Sequence, residues 1–204
     1  TLSILLMVHY SISICQKGIN MYYTLDKALS YNALFYFIIG ERGVGKSFGA
    51  KKFVINDYLK NGNEFVYIRR YKTELDNAYE GFFEQLLTTG LFTDHKFKIV
   101  SSKKKVDKFY CDEKVCGYGV PLSTANILKS TAFPKVGTII FDEFLLDTGG
   151  THHYLKHEVT MLLDVMESVF RLRDGKTILL GNALNVHASH YVCYWNLELP
   201  MDGS

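Results

Sequence analysis

The sequence has little proline, scattered cysteine and almost no net charge. Three prolines in 204 residues, with 48% hydrophobic and 22% charged residues, exclude a disordered or collagen-like chain. The cysteines lack the spacing of a zinc or redox motif, which excludes a disulfide scaffold and favours free thiols in a reducing compartment; they are Cys15, Cys111, Cys116 and Cys193. Because the formal net charge is only +2, any contact with a polyanion must be local.

The first fifteen residues are apolar, but they do not resemble a membrane span. No Lys or Arg precedes them, His9, Gln16 and several serines interrupt the run, and a spanning helix needs about twenty apolar residues. We therefore expect no membrane anchor. Since Met7 and Met21 are both possible starts, we interpret residues 1–20 as an N-terminal extension of unknown role, followed by one domain over residues 21–204.

Strand and helix patterns alternate along the rest of the chain. Apolar runs at 34–39, within 64–69, at 138–141 and within 176–180 are typical of strands with buried faces. Apolar residues at helical spacing predict helices over 46–59, 73–87 and 154–172. Short alternating segments between Lys96 and Val120 predict an inserted β-hairpin. The order predicts an α/β fold with a mainly parallel sheet flanked by helices.

A glycine-rich motif follows the first buried strand and opens the next helix. It has the pattern G-x-x-x-x-G-K-[ST] and consists of Gly40, Glu41, Arg42, Gly43, Val44, Gly45, Lys46 and Ser47. In such loops the backbone N–H groups surround phosphates, the lysine neutralises the β- and γ-phosphate oxygens, and the hydroxyl ligates Mg²⁺. The strand-to-helix context favours an ATP and Mg²⁺ site over an incidental turn.

Two adjacent carboxylates end the strand Thr-Ile-Ile-Phe. Open α/β sheets bind their ligands at this end of their strands, so Asp142 is predicted to hold Mg²⁺. Glu143 is predicted to accept a proton from the attacking water, which favours hydrolysis over a passive nucleotide switch. The alternative interpretation is a pair of capping or turn acids.

Other polar residues lie at helix and strand ends. Asn182 follows the last strand and either orients water near the γ-phosphate or forms a plain turn. Arg171, near the end of the predicted helix 154–172, pairs with Glu167 or acts as an arginine finger; the helix alone favours the ion pair. The basic run 69–72 is a solvated strand end or part of the site, and Lys129 is a lone cation ahead of the acidic strand.

Five blocks together resemble the DNA-packaging ATPase of phi29-like bacteriophages. They are Phe-Ile-Ile-Gly-Glu-Arg-Gly-Val-Gly-Lys-Ser, Val-Tyr-Ile-Arg-Arg-Tyr-Lys, Lys-Ser-Thr-Ala-Phe-Pro ahead of Ile-Ile-Phe-Asp-Glu-Phe, Val-Phe-Arg-Leu-Arg, and Gly-Asn-Ala. The order and spacing of the blocks agree from about Met21 to Asn185. The Arg-Arg-Tyr-Lys and Asp-Glu-Phe blocks are more specific than the glycine loop, and residues 1–20 have no counterpart.

This resemblance implies a RecA-like P-loop NTPase domain of the additional-strand, catalytic-glutamate type. It implies a homo-oligomeric ring, a pentamer, that pumps double-stranded DNA through the portal of an empty capsid. It also implies docking through prohead RNA, a C-terminal domain that this chain lacks, and a location in the host cytoplasm with transient docking on the procapsid.

The resemblance also implies roles for individual residues. Lys46 and Ser47 bind phosphate and Mg²⁺, Asp142 binds the metal, and Glu143 activates water. Arg171 becomes a finger acting in trans on a neighbouring subunit, and Lys129 is a second trans-acting cation. The resemblance further implies that Arg69 holds or releases Glu143 and that Lys72 faces the DNA in the ring channel.

Two other functions share part of this pattern. Another RecA-like or AAA-type nucleic-acid motor, such as a helicase or helicase loader, would use the same ATP chemistry but act on a different nucleic acid and with different partners. A nucleotide-dependent switch would bind a partner when loaded, but the sequence lacks the N-K-x-D guanine signature, and Glu143 gives a switch a base that it does not need.

Overall fold

Eight strands form one sheet at the centre of the structure, a computed structural model that describes residues 4–8, 25–102, 106–146, 153–182 and 190–195. In chain order the strands are β1 (Ile4–Val8), β2 (Phe35–Gly40), β3 (Glu64–Arg69), β4 (Phe97–Val100), β5 (Asp107–Cys111), β6 (Lys114–Pro121), β7 (Val136–Asp142) and β8 (Lys176–Asn182). Their order across the sheet is β1-β2-β8-β7-β3-β6-β5-β4.

Most of this sheet is parallel, as the alternating pattern predicts. Among the described strands, β1, β2, β8, β7, β3 and β6 pair in parallel in that order, and the β6–β5 and β5–β4 pairs are antiparallel. Strand β1 lies inside the segment 1–20, so part of the predicted extension adds an edge strand to the sheet. The boundary between residues 20 and 21 stays a prediction.

The segment 96–120 is more than an inserted hairpin. Strands β4, β5 and β6 form an antiparallel unit, and β6 also pairs in parallel with β3. The unit therefore continues the main sheet. Gly117 on β6 lies against the ring of Phe65 on β3, where an added Cβ would come within 2.6 Å of the ring carbons. Alternating polar residues indicated a hairpin, but they could not show that β6 pairs with β3.

Helices cover both faces of the sheet. One face packs against α1 (Asp26–Leu29), α2 (Lys46–Asn61), α3 (Lys72–Glu80) and α4 (Glu84–Leu87). The opposite face packs against a 3₁₀ helix (Leu122–Ser130), α5 (Glu158–Phe170) and α6 (His190–Trp195). Successive residues of β2 point alternately to these two layers: Phe37 belongs to the second core and Ile38 to the first.

Two predicted helices differ from the observed ones. The predicted helix 73–87 is broken after Glu80 by the turn at Gly81, which lets Phe82 and Phe83 enter the core. The predicted helix 154–172 is shorter, because α5 spans only Glu158–Phe170. Within the described ranges, no helix is long and apolar enough to cross a membrane.

Candidate active site

The loop after strand β2 contains two glycines with left-handed backbone geometry. Gly43 has φ = 87° and Gly45 has φ = 85°, values that other residues adopt only with strain. No atom lies within 4 Å of a Cβ built at Gly43, so the backbone angle, and not the space, requires glycine there. Gly45 is the N-cap of α2, so the loop leads directly into a helix N-terminus whose free N–H groups can bind an anion.

The ammonium group of Lys46 lies within this loop. Its Nζ donates hydrogen bonds to the carbonyl oxygens of Gly40 at 2.9 Å and Glu41 at 2.6 Å, and to Asn182 Oδ1 at 3.3 Å. Burial lowers the pKa of Lys46, and the charges of Asp142 and Glu41 partly oppose that shift. The loop therefore places a cation where phosphate oxygens could replace its carbonyl partners.

Ser47 and Asp142 are in direct contact between the first turn of α2 and the end of β7. Ser47 Oγ donates to Asp142 Oδ1 at 2.8 Å, and Tyr67 OH donates to Asp142 Oδ2 at 2.8 Å. The guanidinium of Arg69 approaches the same Oδ2 at 3.7 Å. Both carboxylate oxygens of this buried aspartate are thus oriented by named partners.

The hydroxyl of Ser47 and the carboxylate of Asp142 fit a magnesium ion as neighbouring ligands. Magnesium prefers hard oxygen ligands, and its octahedral geometry places adjacent ligands about 3 Å apart. The 2.8 Å separation of Ser47 Oγ and Asp142 Oδ1 agrees with that spacing. Tyr67 would stay outside the ion's coordination shell and orient Asp142 through Oδ2.

Tyr67 is a member of this site that the sequence patterns did not reveal. It lies fully buried in β3, and burial together with the Asp142 charge raises its pKa far above the ordinary value, so the phenol keeps its proton and donates. A tyrosine within an apolar strand is typical of core packing. Its only sequence signal is that the predicted strands β3 and β7 belong to one sheet.

Glu143 lies in the left-handed region with φ = 59° and its side chain is 52% exposed. Arg69 Nη2 donates to Glu143 Oε2 at 2.5 Å. Burial alone would lower the pKa of Arg69, but the neighbouring Tyr67, Asp142 and Glu143 outweigh burial, so the pKa is raised. The Nε of Arg69 is buried and has no hydrogen-bond partner among the described residues. The structure thus brings Arg69 and Glu143 together, and the implied role of Arg69 stays a prediction.

One cleft of about 410 Å³ collects these groups, and its lining includes Arg42, Gly43, Gly45, Lys46, Ser47, Asp142, Glu143 and Asn182. The amide of Asn182 lies at the end of β8, within reach of Lys46. Gly181 before it is closely packed, since an added Cβ would lie 2.8 Å from the side chains of Phe144 and Leu145. The predicted site residues of the loop and of two strand ends are therefore neighbours.

The cleft also has a wall that sequence reasoning missed. Phe48, Gln85, Thr88 and Thr89 line it from α2, from α4 and from the turn that follows α4. Gln85 Oε1 accepts a hydrogen bond from Lys51 Nζ at 3.0 Å, which ties α4 to α2. These residues carry no motif, and the break at Gly81 that positions α4 was not predicted.

Arg70 is buried, so the interpretation of the whole basic run as a solvated strand end is wrong at this position. Its guanidinium pairs with the buried carboxylate of Glu158 at 2.7 Å. No sequence pattern indicates this partner, because Glu158 lies 88 positions further along the chain.

Arg171 lies beyond the helix on which it was placed. Helix α5 ends at Phe170, and Arg171 follows with φ = 47° and an exposed side chain. Its backbone N–H donates to the carbonyl of Glu167 at 2.9 Å, but no side-chain ion pair between these two residues occurs among the described residues. The ion-pair interpretation is therefore wrong for this structure, and the role in trans stays a prediction.

Arg173 stabilises the turn that follows Arg171. Its guanidinium donates four hydrogen bonds to backbone carbonyls, those of Phe133, Pro134, Val136 and Val169. The turn is thereby tied to the segment before β7. Lys129 belongs to the 3₁₀ helix in that region, but its side chain lies outside the described part of the chain, and its predicted role is untested.

Lys72 lies at the start of α3 and has partners within the chain. Its Nζ donates to Asp107 and Asp76, both at 2.6 Å, and to Ser101 Oγ at 3.0 Å. Burial alone would lower the pKa of Lys72, but the hydrogen bonds to Asp107 and Asp76 outweigh burial, so the pKa is raised. A DNA phosphate would have to compete with these carboxylates, and the DNA role of Lys72 stays a prediction.

The fold is similar to that of a viral DNA-packaging protein. It matches the crystal structure of the N-terminal domain of the DNA packaging ATPase from bacteriophage phi29 with a TM-score of 0.76 and 37% identity, over 89% of each chain. It also matches a chain of the bacteriophage phi29 viral genome packaging motor assembly, with a TM-score of 0.73 and 37% identity, over 89% of this chain and 53% of that one.

The chain belongs to the Podovirus DNA encapsidation protein (Gp16) family, whose profile matches residues 17–201. It is 38% identical over 179 residues to the DNA packaging protein of Bacillus phage phi29, covering 87% of this chain and 51% of that protein. It is 39% identical over 167 residues to the one from Bacillus phage B103, covering 81% and 49%. The chain thus spans about half the length of these curated relatives, and the predicted family is confirmed.

Proposed function

We propose that this chain is the ATP-hydrolysing motor domain that translocates double-stranded viral DNA into an empty capsid. One observation carries the proposal: in a chain of the encapsidation family, Ser47 of the glycine loop contacts Asp142, next to Glu143. The strand order supports a RecA-like P-loop NTPase of the additional-strand, catalytic-glutamate type. In that order β8 lies between β2, which leads into the loop, and β7, which carries the acids.

The proposed cofactors are ATP and Mg²⁺. The backbone N–H groups of the loop and the start of α2 bind phosphate oxygens, and Lys46 neutralises the β- and γ-phosphates. Ser47 and Asp142 hold the Mg²⁺, which withdraws negative charge from the phosphates when it is bound. Asn182, beside Lys46, orients the water or contacts the γ-phosphate.

Glu143 is the proposed general base. Its exposed carboxylate belongs to the lining of the same cleft as the loop, where it can accept a proton from water that attacks the γ-phosphate. Arg69 holds the carboxylate in the structure described, and a base that is bound to a guanidinium is a poor proton acceptor. Hydrolysis therefore requires that Arg69 release Glu143.

The remaining proposed site residues act between neighbouring subunits or on the DNA. Arg171, exposed beyond the end of α5, is the proposed finger for the neighbouring subunit's ATP, with Lys129 as a second trans-acting cation. Lys72 is the proposed DNA contact. The packaging motor assembly among the similar structures supports a homo-oligomeric ring, which we propose is a pentamer on the capsid portal, docked through prohead RNA.

The whole protein is proposed to act in the host cytoplasm and to dock transiently on the procapsid. A further C-terminal domain, by which this family member would engage its partners, is part of the same proposal, because the match covers only about half the length of the curated relatives. The domain boundary after residue 20 is likewise proposed.

The test is ATP-driven protection of DNA inside empty capsids. The complete protein is mixed with procapsids, double-stranded DNA and Mg²⁺·ATP, and the DNA that survives added nuclease is measured. We expect protection that depends on ATP and is lost in Glu143→Gln. The matched control, Glu80→Gln, changes an exposed carboxylate at the end of α3 and should package normally.

The competing functions predict other results. Strand separation without DNA protection would indicate a helicase. A single turnover followed by a stable nucleotide complex would indicate a switch, and either result would overturn the proposal.

A further inference from the structure

Arg70 is a fully buried arginine that contacts the backbone of the proposed general base. Its Nη1 donates to the carbonyl oxygen of Glu143 at 3.1 Å, and its Nη2 donates to that of Phe144 at 2.8 Å. Its Nε and Nη2 also bind the two carboxylate oxygens of Glu158 at 2.7 and 2.8 Å. One guanidinium thus joins the end of β3, the turn after β7 and the first residue of α5.

We propose that Arg70 is a positioning residue for hydrolysis: with Glu158 it fixes the backbone turn that directs the Glu143 carboxylate into the cleft. The inference rests on the proposed function, since it assigns Arg70 a role only through Glu143 as a general base. It is separate from the proposed hold by Arg69, which contacts the carboxylate itself.

The turn at Glu143 needs to be held. With φ = 59°, Glu143 has a backbone conformation that costs free energy and persists only where the surroundings enforce it. Arg70 binds two successive carbonyls on one side of the turn. On the other side, the Phe144 N–H donates to the carbonyl of Leu180 at 3.0 Å, and Gly181 leaves room for the Phe144 ring.

Both oxygens of the Glu158 carboxylate accept hydrogen bonds from further partners. Besides Arg70, it accepts hydrogen bonds from the Leu155 N–H and from Tyr191 OH, both at 2.8 Å. The rings of Tyr154 and Phe141 lie 5.0 and 5.5 Å from the guanidinium carbon. Buried ion pairs add little net stability compared with packed apolar residues, and in some proteins such groups instead fix one specific geometry. The cluster therefore fits an orienting role better than a merely stabilising one.

Arg69 and Arg70 divide the control of Glu143 between them. Arg69 binds the side-chain carboxylate, which can exchange partners during a cycle. Arg70 binds main-chain carbonyls and a buried partner, so it can remain in place while the carboxylate moves. A lysine at position 70 would keep the charge but could not make the four contacts of the planar guanidinium at once.

A double-mutant cycle tests this inference. Arg70→Lys, Glu143→Gln and the double variant of the complete protein are compared in kcat and KM for ATP and in the binding of a fluorescent ATP analogue. We expect Arg70→Lys to lower kcat about 10- to 100-fold, the loss typical of a misplaced catalytic group, with nucleotide affinity changed less than about threefold. In the double variant, Arg70→Lys should cause little further loss, because the base is already absent.

The matched control is Arg173→Lys, which removes another guanidinium bonded to backbone carbonyls, away from Glu143. Any loss that Arg173→Lys causes should multiply with that of Glu143→Gln. Thermal unfolding without nucleotide verifies that each variant is folded. If Arg70→Lys does not fold, Glu158→Gln, which keeps the size of Glu158, replaces it in the cycle with the same expectations.

The possible failures are distinguishable. If Glu143→Gln leaves kcat unchanged, the proposed general base is wrong and the inference fails with it. If Glu143→Gln lowers kcat but the loss from Arg70→Lys is absent, or multiplies fully with it, the general base stands and Arg70 has only a structural role.

Discussion

Ser47 Oγ donates a hydrogen bond to Asp142 Oδ1 over 2.8 Å, although the two residues are 95 positions apart in the chain. The contact forms because β2, which leads to Ser47, and β7, which ends at Asp142, are separated only by β8 in the sheet. Both strands run in the same direction, so their C-terminal ends meet at one edge. This contact brings the glycine loop next to the acidic pair, and substitutions at the surrounding residues test their proposed roles.

Glu143→Gln and Lys46→Ala should fail at different steps. The amide keeps the size of Glu143 but cannot take a proton, so ATP binding should persist while turnover falls by about 10² to 10⁴. Lys46→Ala removes the cation that neutralises phosphate oxygens, so it should weaken nucleotide binding itself. Equilibrium binding of a fluorescent ATP analogue, measured beside steady-state hydrolysis, separates the two effects. An equal loss of binding in both variants would contradict these roles.

Tyr67→Phe should lower the apparent affinity for the Mg²⁺ that hydrolysis requires. It removes the donor that orients Asp142 through Oδ2 but leaves the buried ring in place. Loss of such an outer partner typically costs about 10- to 100-fold in metal affinity, so the Mg²⁺ concentration for half-maximal hydrolysis should rise by about that factor. Tyr110→Phe, on the half-buried face of β5, is the control. An unchanged Mg²⁺ dependence would leave Tyr67 as a packing residue.

Asp107 should make stability depend on pH in the acid range. Burial alone would raise its pKa, but hydrogen bonds from Lys72, Tyr79 and the Ser102 backbone prevail and lower it. Since the pKa in the folded state is below the unfolded value of about 3.9, this stabilisation is complete above that pH and is lost as the pH falls through the folded-state pKa.

Asp107→Asn should therefore be less stable than the parent near neutrality, and its free energy of unfolding should fall less steeply below about pH 4. Urea unfolding at a series of pH values measures this. The exposed Asp94→Asn is the control and should retain the parent's slope. Parallel pH profiles for the parent and Asp107→Asn would show that Asp107 contributes nothing through its charge.

Lys72→Ala tests the DNA contact against the structural role that its partners suggest. If Lys72 binds a phosphate, the slope of log affinity against log salt should fall by about one unit per subunit contact, with nucleotide binding unchanged. Lys98→Ala, which removes an exposed lysine paired with Glu113, is the control. A lower stability with an unchanged salt slope would mean that Lys72 serves only to hold Asp107.

Arg171→Ala tests the role in trans. Hydrolysis by variant rings should fall by about 10³ or more if Arg171 is a finger. Mixing Arg171→Ala with Glu143→Gln subunits should restore some hydrolysis, at interfaces where an intact Glu143 meets an intact Arg171. Because Glu167 makes no side-chain ion pair with Arg171 in the described residues, Glu167→Gln should leave turnover unchanged. No recovery at any mixing ratio, in rings that exchange subunits, would favour a role in cis.

The sequence predicts those parts of the fold and site that depend on local patterns. Strands β2 and β3 and the start of α2 lie where apolar runs and the glycine motif place them. The meeting of Lys46, Ser47, Asp142 and Asn182 follows from one rule, that parallel strands carry their ligands at their C-terminal ends. A local pattern and a general rule of sheet geometry are sufficient to predict where these residues lie.

Features that depend on distant partners could not be predicted. The run Arg-Arg-Tyr-Lys left a solvated strand end and a site role open, and the residues around Arg70 in the sequence do not indicate its distant partner, the carboxylate of Glu158. The helix break at Gly81 has the same origin: tertiary packing of Phe82 and Phe83 overrides the helical spacing of the segment. Arg171 was placed on a helix for similar reasons, since the apolar pattern of α5 carries no stop signal at Phe170.

The position of β8 has a consequence for the order in which the protein folds. It follows β2 and β7 in the chain, yet it lies between them in the sheet. During synthesis, therefore, the glycine loop and the acidic pair cannot reach their final separation until residues 176–182 have left the ribosome and inserted into the gap. Such insertion of a late central strand is a non-local step and is expected to be slow. A nascent chain that ends before Lys176 should be unable to bind nucleotide, even though it already contains Lys46, Ser47, Asp142 and Glu143.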